Sequence, residues 1–66
     1  MAPSSQDVLF EMTQIGSIMK VTAIDAATGT EVVIQGPASM PPSILQRTAL
    51  AKLRYVLEKN GAGSRT

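Results

Sequence analysis

The chain has 66 residues, a mass of 6.9 kDa and a formal net charge of +1, which leaves room for one small domain. Apolar residues make up 44% and charged residues 17%, a globular rather than a disordered composition. Cysteine, histidine and tryptophan are absent from the sequence. Their absence excludes disulfides, thiolate nucleophiles, imidazole bases and the common structural zinc sites.

The small size of the chain limits its stability. Below about 70–80 residues, a single apolar core supplies roughly 3–5 kcal/mol, and natural small proteins add disulfides, a metal ion or a second chain. The sequence offers neither a disulfide nor a recognisable metal site, so we expect no cofactor. Association with a second copy is the remaining source of stability, and we therefore expect a homodimer.

The N-terminal segment, residues 1–7, is small and polar, and we expect it to form a disordered lead-in. It lacks the basic start and the apolar stretch of a signal peptide. No run in the chain approaches the roughly 18–20 apolar residues that span a bilayer. We therefore expect a cytoplasmic protein with no membrane partner.

The next part of the chain has the pattern of a β-hairpin. Polar and apolar residues alternate over Val8–Ile15 and over Ile18–Asp25, with the period of a strand. Gly16-Ser17 between them suits a two-residue type II′ turn, in which glycine comes first. This turn places Ile15 opposite Ile18, Met12 opposite Val21 and Phe10 opposite Ala23, so the core-facing residues of both strands share one face. A slip of one residue would break that match, so the register is well specified.

A second turn and a third strand complete an antiparallel meander. Asp25 can accept hydrogen bonds from backbone amides ahead of it, and Gly29 can adopt a positive φ. Glu31–Gln35 then forms the third predicted strand. The predicted core face of the sheet consists of Val8, Phe10, Met12, Met19, Val21, Ala23, Val32 and Ile34.

A proline-rich connector precedes one amphipathic helix. Residues 36–42 contain three prolines, and we expect them to end the ladder as a stiff connector. The helix is predicted from about Pro42 to Lys59, with Ser39 or Ser43 as its cap. The sheet-facing arc of this helix consists of Leu45, Ala49, Leu50, Leu53, Val56 and Leu57.

Asn60-Gly61 is a typical helix stop, and residues 61–66 are expected to form a mobile tail. Residues 8–60 therefore form a single domain. Its fold is predicted as α+β, a three-stranded antiparallel meander followed by one C-terminal helix (β-β-β-α).

The face of the sheet away from the helix is unusually apolar for so small a protein. We interpret these residues either as a partly apolar solvent face or as an interface, and we favour the interface. Both outer strands present unpaired edges, and the stiff connector favours exchange of a strand or the helix between two copies. Tyr55, on the helix and away from its sheet-facing arc, is either ordinary surface or the edge of an interface, and we favour the interface. The candidate interface residues are Leu9, Ile15, Ile18, Ile24, Val33 and Tyr55.

The basic helix face is the second candidate surface. It is either an ordinary solvated face or a docking surface for an acidic partner or a nucleic-acid backbone. Nucleic-acid binding is disfavoured, although not excluded, because no aromatic platform accompanies the charges. The residues of this face are Arg47, Lys52, Arg54 and Lys59.

Catalytic chemistry is not indicated. An enzyme needs a nucleophile or an acid–base pair in a cleft, and the carboxylates of this chain are separated. Asp25 and Glu31 flank one turn, which is typical of turn chemistry and supplies too few ligands for a calcium loop. We predict no catalytic, cofactor-binding or metal-binding residues.

The middle of the chain resembles a family of small uncharacterised proteins of alphaproteobacteria. The resemblance is carried by Lys20-Val21-Thr22-Ala23-Ile24-Asp25, Thr28-Gly29-Thr30-Glu31-Val32, Ala51-Lys52-Leu53 and Tyr55-Val56-Leu57, and it covers about residues 8–60. It implies a bacterial cytoplasmic protein of unknown function and supplies no activity or site. Our interpretation is a non-enzymatic homodimeric protein–protein interaction module. The alternative is a nucleic-acid-associated accessory factor that uses the basic helix face.

Overall fold

A computed structural model describes the backbone of residues 8–65 and the side chains of residues 8–60. The chain forms three antiparallel strands followed by one helix, which confirms the predicted α+β architecture. The elements are β1 (Val8–Ile15), β2 (Ile18–Asp25), β3 (Glu31–Pro37) and α1 (Pro42–Arg65). The expected lead-in, residues 1–7, lies outside the described residues.

The hairpin of β1 and β2 has the predicted register. Ile15 lies opposite Ile18, and Gly16 has a φ of 62°. No described residue other than glycine has a positive φ, so Ser17 cannot take the second position of a type I′ turn. The φ values therefore agree with the predicted type II′ turn. Further along the hairpin, Met12 lies opposite Val21 and Phe10 opposite Ala23.

The register of β2 and β3 is also the predicted one, because the second turn closes as expected. The Asp25 amide donates to the Thr30 carbonyl at 2.8 Å, and Gly29 has a φ of 77°. Val32 lies opposite Ala23, and Ile34 opposite Val21. β2 is the central strand, so β1 and β3 are the two edges of the sheet.

The third strand is longer than predicted. It continues through Gly36, opposite Met19, to Pro37, opposite Ile18. The expectation that the ladder ends at Gln35 is therefore wrong. Proline is tolerated at the end of an edge strand, where its missing N–H costs no bond to the neighbouring strand. The Ala38 amide then donates to the Ser17 carbonyl at 2.8 Å and holds the chain against the first turn.

The start of the helix differs from the prediction in its cap. The Pro41 carbonyl accepts the first helical hydrogen bonds, from Ile44 at 3.0 Å and from Leu45 at 3.4 Å. α1 therefore starts at Pro42 without Ser39 or Ser43 as its cap residue. Proline suits the first helical position because its missing N–H would have no helical partner there.

The predicted stop at Asn60-Gly61 is also wrong, since α1 runs on to Arg65. A glycine inside a helix costs only about 1 kcal/mol relative to alanine, so it does not by itself end a helix. The mobile tail expected over residues 61–66 remains a prediction.

The core lies between the sheet and α1, where it was predicted. Every residue of the predicted sheet face belongs to it or packs against it. Leu50 is the exception on the helix, because it is only half-buried at the flank of α1 and lies outside this cluster. Met40, from the connector, packs against the core in addition. The buried centre of the core consists of Val21, Ala23, Val32, Leu45, Ala49 and Leu53.

The helix lies over β2 and β3 and barely reaches β1. A close approach at Gly36 makes this placement possible. A Cβ atom at Gly36 would lie 2.5 Å from Leu45 Cδ2, and Leu45 is almost fully buried. The stiff connector therefore does not prevent the helix from folding back onto its own sheet. Exchange between copies is not required for the helix to reach its packing site, and it remains a prediction.

Gly36→Ala is expected to lower the free energy of unfolding by about 1–3 kcal/mol, because the added methyl group overpacks the Leu45 site. Urea denaturation of both proteins measures the change. In the background of Leu45→Val, which shortens the opposing side chain, the same substitution should cost less. An unchanged midpoint for Gly36→Ala alone would show that α1 can move away from the sheet without loss.

Candidate interaction surfaces

The face of the sheet opposite α1, here called the outer face, exposes several large aliphatic side chains. Leu9 is 58% exposed, Ile15 62%, Ile18 42% and Val33 41%. Ile24, the fifth predicted member, is only half-buried rather than fully exposed. The structure therefore places these apolar residues on the outer face as predicted, while the role of this face as an interface remains a prediction.

The apolar residues of the outer face do not form one continuous patch. The strand register arranges the face in four rows that cross the sheet. The hairpin row consists of Ile15, Ile18 and Pro37, and the distal row of Leu9, Ile24 and Glu31. The two rows between them consist of Thr13, Lys20 and Gln35, and of Glu11, Thr22 and Val33. Within one chain, polar side chains thus separate the two apolar rows.

The outer edge of β1 is unpaired within the described residues. In a two-residue hairpin the residues that flank the turn are hydrogen-bonded to each other, so Ile15 bonds to Ile18 and the bonds alternate along the strand. The N–H and C=O groups of every second residue therefore point away from β2. These outward groups belong to Val8, Phe10, Met12 and Gln14, and no proline or lysine interrupts them.

The edge of β3 is protected in a way that the edge of β1 is not. Lys52 reaches over from α1, and its Nζ donates to the Val33 carbonyl at 3.1 Å. This bond occupies one outward acceptor of β3. Pro37, at another outward position, has no N–H to donate. Lysine and proline are the residues that commonly prevent an edge strand from pairing.

The inner side of β1 is also incompletely covered. Val8, Phe10 and Met12 point toward the core but are only half-buried, because α1 lies over the other two strands. The flank of α1 touches β1 through Gln46, whose Nε2 lies 3.4 Å from the sulfur of Met12. We call the open edge of β1 together with these three core-facing side chains the β1 margin.

The basic helix face is divided by internal contacts. Lys52 is bound to the β3 edge, and the Lys59 ammonium lies 5.5 Å from the centre of the Tyr55 ring. This distance permits a cation–π contact. Arg47 and Arg54 are exposed on α1. Two of the four predicted residues therefore have contacts within the chain, and the role of this face in binding remains a prediction.

Tyr55 is 61% exposed and belongs to the helix rather than to the outer face. With α1 on the opposite side of the sheet, Tyr55 cannot share an interface with the outer face of the same chain. Its ring instead lies within cation–π distance of the Lys59 ammonium. The structure therefore separates Tyr55 from the other five predicted interface residues.

The carboxylate of Asp25 has a structural role in the turn between β2 and β3. Asp25 is 6% exposed, and its Oδ2 accepts hydrogen bonds from the Thr28 amide at 3.0 Å and the Thr28 hydroxyl at 2.7 Å. The Gly29 amide donates to the Asp25 carbonyl at 2.7 Å. Glu31 is exposed outside this network. The described residues include no group of three or more residues that could hold a metal ion.

Asp25→Ala is expected to lower the free energy of unfolding by about 1–2 kcal/mol, because two hydrogen bonds to a buried carboxylate are lost. Glu31→Ala is the matched control, and it should leave the stability nearly unchanged. Thermal denaturation followed by circular dichroism compares the two variants. Equal melting temperatures for the two would contradict the structural role given to Asp25.

Two features of these surfaces are missing from the sequence-based predictions. One is the Lys52 contact with the β3 edge, and the other is the β1 margin. A signal for the margin is present in the sequence, because the two-residue turn alone determines which backbone groups of β1 point outward. The position of α1 over β2 and β3, by contrast, has no signal in the pattern of apolar residues.

Comparison with known proteins gives a family but no function. A family model described as "Domain of unknown function (DUF6898)" matches residues 5–60. No curated protein and no solved structure matches the chain. Within the described residues, the helix is not long and apolar enough to cross a membrane. The match agrees with the predicted resemblance to an uncharacterised family, and the chain belongs to the DUF6898 family of unknown function.

Proposed function

We propose that the chain is a non-enzymatic, homodimeric protein–protein interaction module that works in the cytoplasm of a bacterium. The observation that carries this proposal is the β1 margin, a strand edge that no residue of the described part of the chain covers, flanked by half-buried apolar side chains. An open edge of this kind binds another strand readily, since its amides and carbonyls have no partner in the sheet. The apolar outer face adds a second surface for association.

Two features of the described residues support the non-enzymatic part of the proposal. A shallow open depression beside the first turn is lined by residues 14, 16–18 and 35–39, none of which is ionisable. Asp25, the one buried carboxylate among the described residues, is engaged by Thr28 within its turn. Neither feature offers an acid–base pair facing a cleft.

The contacts of α1 count against nucleic-acid binding. Each lysine or arginine contributes to such binding when it contacts a phosphate, and Lys52 and Lys59 have other partners. Arg47 and Arg54 remain as exposed cations on the helix. Two cations give a small electrostatic contribution, so we favour a protein partner.

The test of self-association is native mass, measured by light scattering over a concentration series in the micromolar range. We expect a mass of two chains that falls toward one chain on dilution. A mass of one chain throughout the series would overturn the homodimer. The outer face would then be left as a docking surface for a different protein.

We expect no binding of double- or single-stranded nucleic acid at physiological salt. Fluorescence anisotropy with labelled oligonucleotides measures this, with the Arg47→Glu, Arg54→Glu double variant as the control. Binding that falls steeply with salt and is lost in the double variant would support the nucleic-acid alternative and contradict our proposal.

A further inference from the structure

We propose that a second copy of this chain pairs with β1 in antiparallel orientation, about a two-fold axis that passes beside Met12. The two sheets then join into one six-stranded sheet, with both helices on the same face. This inference rests on the self-association proposed above and specifies where and in which register it takes place.

The choice of β1 follows from the difference between the two edges. The outward donors and acceptors of β1 are all unoccupied within the described residues, whereas β3 has an occupied acceptor at Val33 and no donor at Pro37. Two antiparallel copies of β1 present the same outward groups to each other. Every residue with outward backbone groups in one copy can therefore face such a residue in the other.

The position of Glu11 selects the register. Residues whose backbone groups point away from β2 must lie opposite each other, because only these residues can form hydrogen bonds between the two copies. Near the middle of β1, a two-fold axis at Phe10, Glu11 or Met12 meets this condition. An axis at Glu11 would place the two Glu11 carboxylates directly opposite each other, which is destabilising. An axis at Phe10 would place Glu11 opposite Leu9 and pair a charge with an aliphatic side chain.

An axis at Met12 avoids both conflicts. It pairs Leu9 with Ile15 of the second copy, and these are among the most exposed aliphatic side chains of the outer face. It also pairs Glu11 with Thr13 of the second copy. Lys20 of that copy lies in the same row as its Thr13, so Glu11 and this lysine fall on one row with opposite charges.

This register joins the separated apolar rows of the outer face. The distal row of one copy ends at Leu9 and continues into the hairpin row of the other copy, which begins at Ile15. Each joined row crosses both sheets, and the two-fold symmetry produces two such rows in the dimer. In one chain, polar side chains divide the outer face into two small apolar rows. In the dimer, each of these rows continues into an apolar row of the other copy.

The same pairing also buries side chains on the helix-facing side of the sheet. Phe10 lies opposite Gln14 of the second copy, and the two Met12 side chains lie opposite each other. These side chains come together between the two helices, because each helix is displaced toward its own β3. Pairing thus buries the part of the core that a single chain leaves half-exposed. About six backbone hydrogen bonds form, two for each outward pair at the centre of the strand.

Disulfide cross-linking tests the register directly, because the natural chain has no cysteine. Residues opposite each other in an outward pair have Cα atoms about 5.5 Å apart, within the range that a disulfide spans. Met12→Cys should therefore give a covalent dimer rapidly in a glutathione redox buffer. Phe10→Cys, which reports on the axis at Phe10, and Gln35→Cys, on the β3 edge, should cross-link slowly.

A matched pair of proline substitutions tests the edge without cysteine. Gln14 and Gln35 are both exposed glutamines on edge strands, and both have an N–H that points away from β2. Proline at either position removes no bond of the sheet itself, and at position 14 it removes in addition the exposed bond from Gln14 Nε2 to the Gly16 carbonyl. Gln14→Pro should raise the dimer dissociation constant about tenfold or more, while Gln35→Pro should leave it unchanged.

The outcomes separate this inference from the proposed function. A dimer by light scattering, with Met12→Cys cross-linking no faster than Gln35→Cys, would overturn the β1 pairing and leave self-association intact. Fast cross-linking of Phe10→Cys instead of Met12→Cys would overturn the register. A chain that is monomeric at every concentration would overturn both. Light scattering of reduced Met12→Cys checks that the substitution itself leaves the dimer in place.

Discussion

The two-residue turn at Gly16-Ser17 is the constraint on which the rest of the structure depends. It fixes Ile15 opposite Ile18, and this pairing decides two properties of every residue along the hairpin. One property is the face of the sheet on which the side chain lies. The other is the side of the strand toward which its backbone groups point. Because both alternate with a period of two residues, the same residues of β1 face the core and carry the outward donors and acceptors. Core packing and edge chemistry are thus coupled in this strand.

The position of the helix follows from a different contact. α1 packs against β3 where that strand has no side chain, since Gly36 leaves space for Leu45. The Pro37–Met40 turn, closed by the bond from the Met40 amide to the Pro37 carbonyl at 3.0 Å, directs the chain back over β3. From this starting point α1 covers β2 and β3 and barely reaches β1. Among residues 8–60, β1 is the strand that remains partly uncovered, and it is also the strand whose edge has no lysine or proline to protect it.

The sequence predicts those parts of the structure that depend on local chemistry or on a period. The hairpin register and the Asp25 turn were predictable because glycine, aspartate and the alternation of apolar residues act over a few neighbouring positions. The start of the helix at Pro42 was predicted correctly, but its cap and its C-terminal end were mispredicted. Residues such as Ser43 and Gly61 express preferences of only about 1 kcal/mol, which neighbouring contacts can outweigh. The Lys52 bond to Val33 joins residues far apart in the chain, and no sequence period encodes it. The exposed aliphatic side chains of the outer face were predictable from the strand period, whereas the use of this face, and of Tyr55 on the helix, as an interface remains a prediction.

The unequal treatment of the two edges is the strongest argument that the open one has a use. An unguarded apolar edge strand is an aggregation hazard, and small proteins commonly block such edges. This chain blocks β3 with a lysine from the helix and a proline at the strand end, so the means of protection are present in the same molecule. An edge that pairs with one antiparallel copy of itself is closed by two-fold symmetry, since the dimer then exposes only the guarded β3 edges. Self-pairing at β1 therefore removes the hazard that an open edge creates and yields a closed assembly rather than a growing one.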